Sequence, residues 1–230
     1  NGSPFFEPVH LEKDPENVYY WYQLAQSYGM YGDKDKGLDA ILKAYSLMKA
    51  DKKPKHRISV YILLANIYLV HGMYKKVIEV CNEGCRLREG YFDLYYFRAM
   101  SHFELGNYKD ALKSFKQYLE GVEKFLRNEG LVDLSMSYMT VRFYEHALHY
   151  VCVIYKRLEN YQKALEYAEK INDKAVYKSI IPHVVEIYME QQRFEDLKKL
   201  YETKAAEDED SDEVFLNAFE GYYRKMDLQQ

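Results

Sequence analysis

One pattern of aromatic, small and turn residues recurs along the chain, and it is clearest between Tyr91 and Tyr118. In that stretch Tyr95 is followed, at offsets of four, seven and eleven residues, by Ala99, His102 and Gly106. This spacing keeps the side chains on one side of a helix. Gly106 then ends the helix, because glycine reaches left-handed backbone angles at low cost. The pattern predicts a helix, a short turn and a second helix packed back on the first.

The second helix of this unit has its own spaced set, Tyr108, Ala111 and Phe115, and the complete frame recurs elsewhere. The other copies open at Trp21, Tyr61, Leu148 and Ile181. The intervals between successive openings are 40, 34, 53 and 33 residues. Two of these intervals match the period of about 34 residues that is typical of one class of helix-turn-helix repeat.

The frame resembles the tetratricopeptide repeat: an aromatic residue, a small residue four positions on, a second aromatic, Gly-x-Tyr, Ala and then Phe. The resemblance implies an all-α fold, a right-handed α-solenoid in which each hairpin packs only on its neighbours. Some copies depart from the frame. Lys34 and Gly37 replace the usual aromatic and alanine in the first copy, and Glu159 and Gln192 replace the turn glycine in the last two.

The copies divide the chain into a repeat array, residues 15–204, and flanking segments. Hairpins are predicted at residues 15–50, 58–88, 92–125, 132–171 and 174–204. Asp14 is predicted to cap the first helix, with Pro15 in its first turn. Residues 1–14 are interpreted as an opening segment or a tag remnant, 205–213 as an acidic loop, and 214–230 as a helix that caps the array. The extra residues in 119–147 either lengthen one helix or add a short one.

Charge and cysteine content narrow the class of protein. Lys and Arg number 32 against 36 Asp and Glu, for a net charge of −4, and this mixed surface argues against nucleic acid as the main ligand. No apolar run reaches about 18 residues, so no membrane-spanning helix is predicted. The cysteines number three, and an odd, sparse set suggests reduced thiols and a cytoplasmic location.

The candidate reactive residues fit packing better than chemistry. Cys81 and Cys85 could share a metal, but Cys81 occupies the frame position that Phe115 fills in the next copy, which favours the core. His146 and His149 lie three apart without a third ligand nearby. No phosphate loop or hydrolase motif is present. We therefore predict no catalytic residue, no metal and no cofactor for this chain.

Two charged stretches have an alternative interpretation each. The basic cluster within residues 49–57 could bind an anion, but it has no interleaved aromatic platform, and a solvated loop is favoured. The acidic loop at 205–213 could bind a cation, but it lacks the glycine and the ligand spacing of a calcium loop. Neither stretch is predicted to be a site.

The first helices of stacked hairpins are expected to line a shared groove. The residue after each opening aromatic and the residue four further on should face it. The predicted groove residues are Tyr22, Gln26, Ile62, Asn66, Tyr96, Met100, Phe103 and His149, with Leu69 and Val153 as further candidates. Amides would bond a ligand backbone and aromatics would take its side chains, so a protein or peptide ligand is predicted. The alternative is that some of these side chains only cover the next helix.

A further resemblance covers residues 10–171. The segments HLEKDPENVYYWYQLAQSY, VIEVCNEGCRLREGYFDLYYFRAMSHFELGNYKDALKSF and VRFYEHALHYVCVIYKRLENYQKALEYAEK, with the insertion before the last, resemble the repeat region C-terminal to bacterial family-2 glycosyltransferases. The resemblance implies a non-catalytic region that positions an acceptor or mediates self-association, including as a homodimer. The alternative is a free-standing adaptor or peptide-sensing regulator. Tyr22, Ile62 and Asp93 stand where repeat clamps for chaperone tails have lysine or asparagine, so that ligand is not expected.

Overall fold

The computed structural model describes residues 9–51, 57–87, 92–127, 143–205 and 211–227. These residues form helices α1 Val9–Lys13, α2 Val18–Met30, α3 Lys34–Ala50, α4 Arg57–Val70, α5 Tyr74–Leu87, α6 Phe92–Glu104, α7 Tyr108–Leu126, α8 Tyr144–Arg157, α9 Tyr161–Ala168, α10 Lys174–Glu190, α11 Phe194–Ala205 and α12 Ser211–Asp227. The chain divides into two compact units, Asn1–Thr140 and Val141–Gln230. Unit 1 and unit 2 are described separately below.

Consecutive helices pair as the frame predicts. In unit 1 the hairpins are α2–α3, α4–α5 and α6–α7, and in unit 2 they are α8–α9 and α10–α11. Every regular element in the described ranges is a helix, so the predicted all-α class is confirmed. None of these helices has a stretch long and apolar enough to cross a membrane.

The turns inside the five hairpins share one backbone conformation. Gly32, Gly72 and Gly106 have φ of +81°, +67° and +73°, and the non-glycine residues Glu159 and Gln192 have 57° and 55°. In each turn the amide after this residue bonds the carbonyl five positions earlier, as from Asn107 to His102 at 2.8 Å. This is the Schellman pattern, which satisfies the last carbonyls of the first helix. The fourth and fifth copies therefore make the same turn without glycine.

The two helices of each hairpin meet where the frame places its small residue. These positions, all fully buried, are Ala25, Ala65, Ala99, Cys152 and Val185. The same close packing occurs at Gly121 of α7, where an added Cβ would lie 1.9 Å from the Phe92 ring. Any larger side chain there would displace that ring, because a close-packed interior has little free space.

Polar contacts add to this packing in unit 1. The Glu83 carboxylate of α5 accepts hydrogen bonds from the hydroxyls of Tyr45 at 2.8 Å and Tyr61 at 3.0 Å, and from Lys49 Nζ at 3.1 Å. These bonds lower the pKa of Glu83, because they favour its charged form. The carboxylate therefore links α3, α4 and α5. Lys49, which belongs to the basic cluster within residues 49–57, takes part in this contact through its bond to Glu83.

The start of the array differs from the prediction. Asn17, and not Asp14, caps α2: its side chain accepts from the amides of Tyr19 and Tyr20. The Asp14 carboxylate instead accepts from Asn17 Nδ2 at 3.0 Å. Proline after Asp14 belongs to a turn and not to the helix, and a short helix, α1, precedes it. The first helix of the first hairpin therefore begins at Val18, and its predicted start at residue 15 was wrong.

The end of the array follows the prediction more closely. Helix α12 begins at Ser211, within the stretch interpreted as the acidic loop, and it packs on the fifth hairpin. Phe215 and Ala218 are buried against Ile181, Val185 and Leu197. The helix thus covers the last hairpin. Predictions for residues 1–8, 52–56, 88–91, 128–142, 206–210 and 228–230, including most of the insertion and the acidic loop, lie outside the described residues.

Candidate functional site

A cleft of about 640 Å³ opens in unit 1 between the first and second hairpins. We call it the α2–α4 cleft. Its walls come from α2, α4 and the start of α3, namely Gln23, Ala25, Gln26, Ser27, Gly29, Met30, Gly32, Lys34, Gly37, Leu63, Asn66, Ile67, Val70 and His71. Two of the predicted groove residues, Gln26 and Asn66, are therefore brought together. A volume of this size is in the range of ligand pockets, which run from about 300 to 1,000 Å³.

The cleft lies where the first hairpin lacks two aromatic side chains that the third hairpin has. At the equivalent positions of the third hairpin, Phe103 and Tyr108 pack on each other with ring centroids 5.7 Å apart. The corresponding positions of the first hairpin are Gly29 and Lys34, and both line the cleft. A Cβ added at Gly29 would meet no atom within 4 Å. The departure of the first copy from the frame was visible in the sequence, but its consequence, an open space, was not predicted.

The polar groups of the cleft have unused hydrogen-bonding capacity. The side-chain amides of Gln23, Gln26 and Asn66 have no hydrogen-bond partner among the residues that the structure describes. Ser27 Oγ is buried and also without a partner in that part of the chain. Ser27 Oγ is the buried member of this set, and buried polar atoms are normally paired, so a ligand or water is expected to complete its bonds beside the three half-buried amides.

The mouth of the cleft is apolar and carries positive charge. Met30 and Val70 are 77% and 53% exposed and flank the opening. His71 donates Nδ1–H to the Ile67 carbonyl at 2.8 Å, which leaves Nε2 facing Asp35 at 3.4 Å. The Lys34 ammonium has no ion-pair partner within the described ranges. The cleft therefore offers apolar surface, free amides and one unpaired cation.

The other predicted groove residues lie elsewhere. Tyr22 and Ile62 are half-buried and do not line the α2–α4 cleft. The Tyr22 ring stacks on Tyr19 with centroids 6.4 Å apart, and burial raises the pKa of its hydroxyl. Met100 and Phe103 are half-buried on α6. Their part in binding stays a prediction.

Tyr96 was predicted to face the groove, and this was wrong. Its side chain is only 6% exposed. The ring lies 5.9 Å from that of Phe115 and 5.3 Å from that of Tyr118, both on α7. Tyr96 therefore fills the interior of its own hairpin, because a large ring beside a second helix gains more by burial than by exposure.

Unit 2 has a separate polar cleft of about 380 Å³, which includes Val153. Here Lys156 of α8 forms an ion pair with Glu186 of α10, and Lys156 Nζ lies 3.3 Å from His183 Nδ1. The predicted groove residue His149 is nearby: its Nδ1 is 3.0 Å from Ser179 Oγ, and its ring is 6.1 Å from that of His183. The Lys156–Glu186 pair was not predicted from the sequence, since neither residue follows an opening aromatic.

The reactive residues singled out in the sequence occupy packing positions. Cys81 and Cys152 are fully buried, and Cys85 is half-buried. Burial raises the pKa of all three thiols, so they stay protonated. Within the described ranges no three His, Cys, Asp or Glu side chains are grouped so that they could hold a metal ion.

Comparisons with known proteins identify the fold. No protein-family model and no curated protein sequence matches the chain. Among solved structures, a Podosopora anserina putative kinesin light chain with nearly identical TPR-like repeats matches at TM-score 0.60 and 14% identity, over 84% of this chain and 94% of that one. A crystal structure of MamA matches at TM-score 0.51 and 16% identity, over 70% of this chain and 84% of that one. MamA 41-end from Desulfovibrio magneticus RS-1 matches at TM-score 0.54 and 10% identity, over 70% of this chain and 77% of that one.

Such low identities show the fold alone. The chain is an all-α solenoid protein with the fold of TPR-like repeats, in agreement with the frame in its sequence. The α2–α4 cleft is a feature of its own side chains and does not follow from the likeness.

The polar cleft of unit 2 generates a prediction about pH. Burial, and then the Lys156 ammonium, lower the pKa of His183 to about 4 from 6.5. Between these values the unfolded chain binds a proton that the folded chain does not, so the free energy of unfolding falls as the pH falls from 6.5 towards 4. The His183→Gln variant should lose less stability over this range, as measured by urea unfolding followed by circular dichroism.

The exposed His146 provides the control for this experiment. His146→Gln removes an exposed histidine of the same unit and should change the dependence of stability on pH less than His183→Gln does. Equal loss of stability in the wild type and in His183→Gln would show that His183 does not take part in the effect.

Proposed function

We propose that the protein is a protein-interaction scaffold and that the α2–α4 cleft binds a peptide segment of a partner. The observation that carries the proposal is the set of unpaired polar groups, Gln23, Gln26, Ser27 and Asn66, around a cavity of about 640 Å³. Ser27 Oγ is the buried member of this set and the three amides are half-buried, so the cleft offers a ligand one hydroxyl and three amides without protein partners.

The chemistry of the cleft favours a particular kind of peptide. Met30 and Val70 provide apolar contact for one anchoring side chain at the mouth. The amides of Gln26 and Asn66 can each donate to and accept from a ligand backbone. Lys34 then favours an acidic residue beside the anchor. We infer an extended segment with an apolar anchor and an adjacent Asp or Glu.

Filling the cleft tests the proposal. A phage-displayed library of random peptides is selected on the wild-type protein, and a selected peptide is synthesised with a fluorescent label. We expect Gly29→Leu to weaken its binding at least about tenfold in fluorescence polarisation, because the new side chain would occupy the anchor position. Leucine is compatible with this position, since Leu69 holds the same place in the second hairpin.

Two further variants define the result. Gly29→Ala adds one methyl group and should bind nearly as the wild type does. Asn66→Ala should bind about three- to tenfold more weakly, which corresponds to one lost hydrogen bond. Selected peptides that bind Gly29→Leu with unchanged affinity would place the binding surface outside the α2–α4 cleft and contradict the proposal.

The setting of this scaffold is a second part of the proposal. The resemblance over residues 10–171 suggests a region that follows a bacterial family-2 glycosyltransferase domain and positions its acceptor. The three free thiols fit a cytoplasmic location. The complete reading frame decides this point: an upstream family-2 domain with an Asp-x-Asp motif supports the glycosyltransferase setting. A DNA-binding helix-turn-helix supports the adaptor or regulator instead.

An apolar surface in unit 2 favours self-association as a second candidate function. Phe194 is 57% exposed, although the aromatic residues at the same frame position in the second to fourth hairpins are half-buried. It frames an apolar cleft of about 360 Å³ with Met189, Leu197, Lys198, Tyr201 and Phe219. Exposed apolar patches of this kind mark interfaces, and a second copy of the chain is the partner that is always present.

Replacing Phe194 tests the second candidate. We expect the mass from sedimentation velocity to rise above 27.5 kDa with protein concentration in the wild type and to stay near it in Phe194→Ser. Leu126→Ser is the control, because Leu126 is 56% exposed in unit 1 and its loss removes similar apolar area. A wild-type mass that stays at 27.5 kDa throughout would reject self-association.

A further inference from the structure

The Arg98 side chain of α6 lines a small polar cleft in unit 1, and its neighbours fix its orientation. Arg98 Nε donates to Ser114 Oγ at 3.1 Å, and its two terminal nitrogens donate to Asn82 Oδ1 at 3.0 Å and Gln117 Oε1 at 2.8 Å. The Tyr95 ring lies 5.1 Å from the guanidinium carbon. These partners belong to α5, α6 and α7, so the guanidinium is fixed from three helices.

All of these partners are uncharged. A guanidinium has five N–H donors, and the three bonds leave two of them unused. Arg98 forms no ion pair with any residue that the structure describes. A half-buried cation that lacks a carboxylate is unusual, because removing charge from water is costly without a counter-ion.

The cleft beside Arg98 has a volume of about 270 Å³ and is lined by Asn82, Arg98, His102, Asp110, Lys113, Ser114 and Gln117. Lys113 is exposed and has no hydrogen bond or ion pair within the described ranges. Asp110 also lines the cleft, but it makes no ion pair there with either cation. His102 Nδ1 is buried without a partner among the described residues. Two cations and one carboxylate leave an excess of one positive charge.

We propose that this cleft binds a carboxylate group of a ligand, with Arg98 and Lys113 as its cationic contacts. The planar guanidinium, fixed in orientation by Ser114, matches the two oxygens of a carboxylate. One excess positive charge is balanced by a monoanion and not by a dianion. Ser114 is only 3% exposed, so the hydroxyl that positions Arg98 is itself fixed by packing.

The site is distinct from the α2–α4 cleft. Arg98 and Met100 differ by two positions on α6, which places them about 200° apart around the helix axis. The carboxylate site therefore lies on the face of α6 opposite the predicted groove residue Met100, and it shares no lining residue with the α2–α4 cleft. A ligand here would contact the side formed by Asn82 of α5 and Ser114 and Gln117 of α7.

Nuclear magnetic resonance of the ¹⁵N-labelled protein tests the proposal at constant ionic strength. The probes are acetate, N-acetylglutamate amide and inorganic phosphate, each compared with chloride. We expect the Arg98 Nε–H signal to shift and saturate with both carboxylates at lower concentration than with phosphate. Binding of the capped glutamate at least as tight as that of acetate would identify an acidic protein side chain as the ligand. Tighter binding of acetate would identify a small free carboxylate.

Lys113→Gln and Lys109→Gln are matched variants, since both remove one exposed positive charge from α7 and only Lys113 lines the cleft. We expect Lys113→Gln to weaken carboxylate binding at least about threefold and Lys109→Gln to leave it unchanged. Neither side chain is buried, so both variants should fold. Shifts that are linear and equal to those in chloride, tighter binding of phosphate, or equal effects of the two variants would overturn the proposal. Arg98 would then serve only to join the three helices.

Discussion

The close contact of paired helices at the small-residue position is the constraint on which the rest of the array depends. Ala25, Ala65, Ala99, Cys152 and Val185 differ in size, yet all are fully buried. The axes of the two paired helices must be close enough for an alanine methyl group to be buried between them. They must also be far enough apart for a valine side chain to fit. Because this contact limits the distance between the two helix axes of a hairpin, it also limits the space left for the aromatic residues around it. Departures from the frame therefore appear as local gaps or exposed rings.

The fold was predictable because the frame records this contact directly. The spacing of the small and aromatic residues predicted each hairpin, and the shared left-handed turn appears even at Glu159 and Gln192. A left-handed residue other than glycine costs about 1–2 kcal/mol. The turn persists there because the following amide still bonds the carbonyl five residues earlier. The cap at Asn17 was missed because Asp14, Pro15 and Asn17 all suit a helix start, and only the path of the chain selects one of them.

The candidate sites were predictable only in part. Spacing alone placed Gln26 and Asn66 on one surface, and these two residues share the α2–α4 cleft. The same spacing placed Tyr96 there, although its ring turns inward to meet Phe115 and Tyr118. Position on a helix limits the direction of a side chain, but a long aromatic side chain at the boundary follows the nearest apolar surface. Arg98 could not be found from the frame, since its three acceptors come from two other helices and are separated from it in the sequence by at least sixteen residues.

The α2–α4 cleft shows how a repeat array can gain a cavity without losing its packing. Gly29 lies in the last turn of α2, where glycine in place of leucine costs about 1 kcal/mol of helix propensity or less. The contact at Ala25 is one turn away and stays complete. Because each hairpin of a solenoid packs only on its neighbours, the absence of aromatic rings at Gly29 and Lys34 affects one interface and leaves the later hairpins unchanged. Residues near the turn of a hairpin can therefore change without disturbing the contact at the small-residue position.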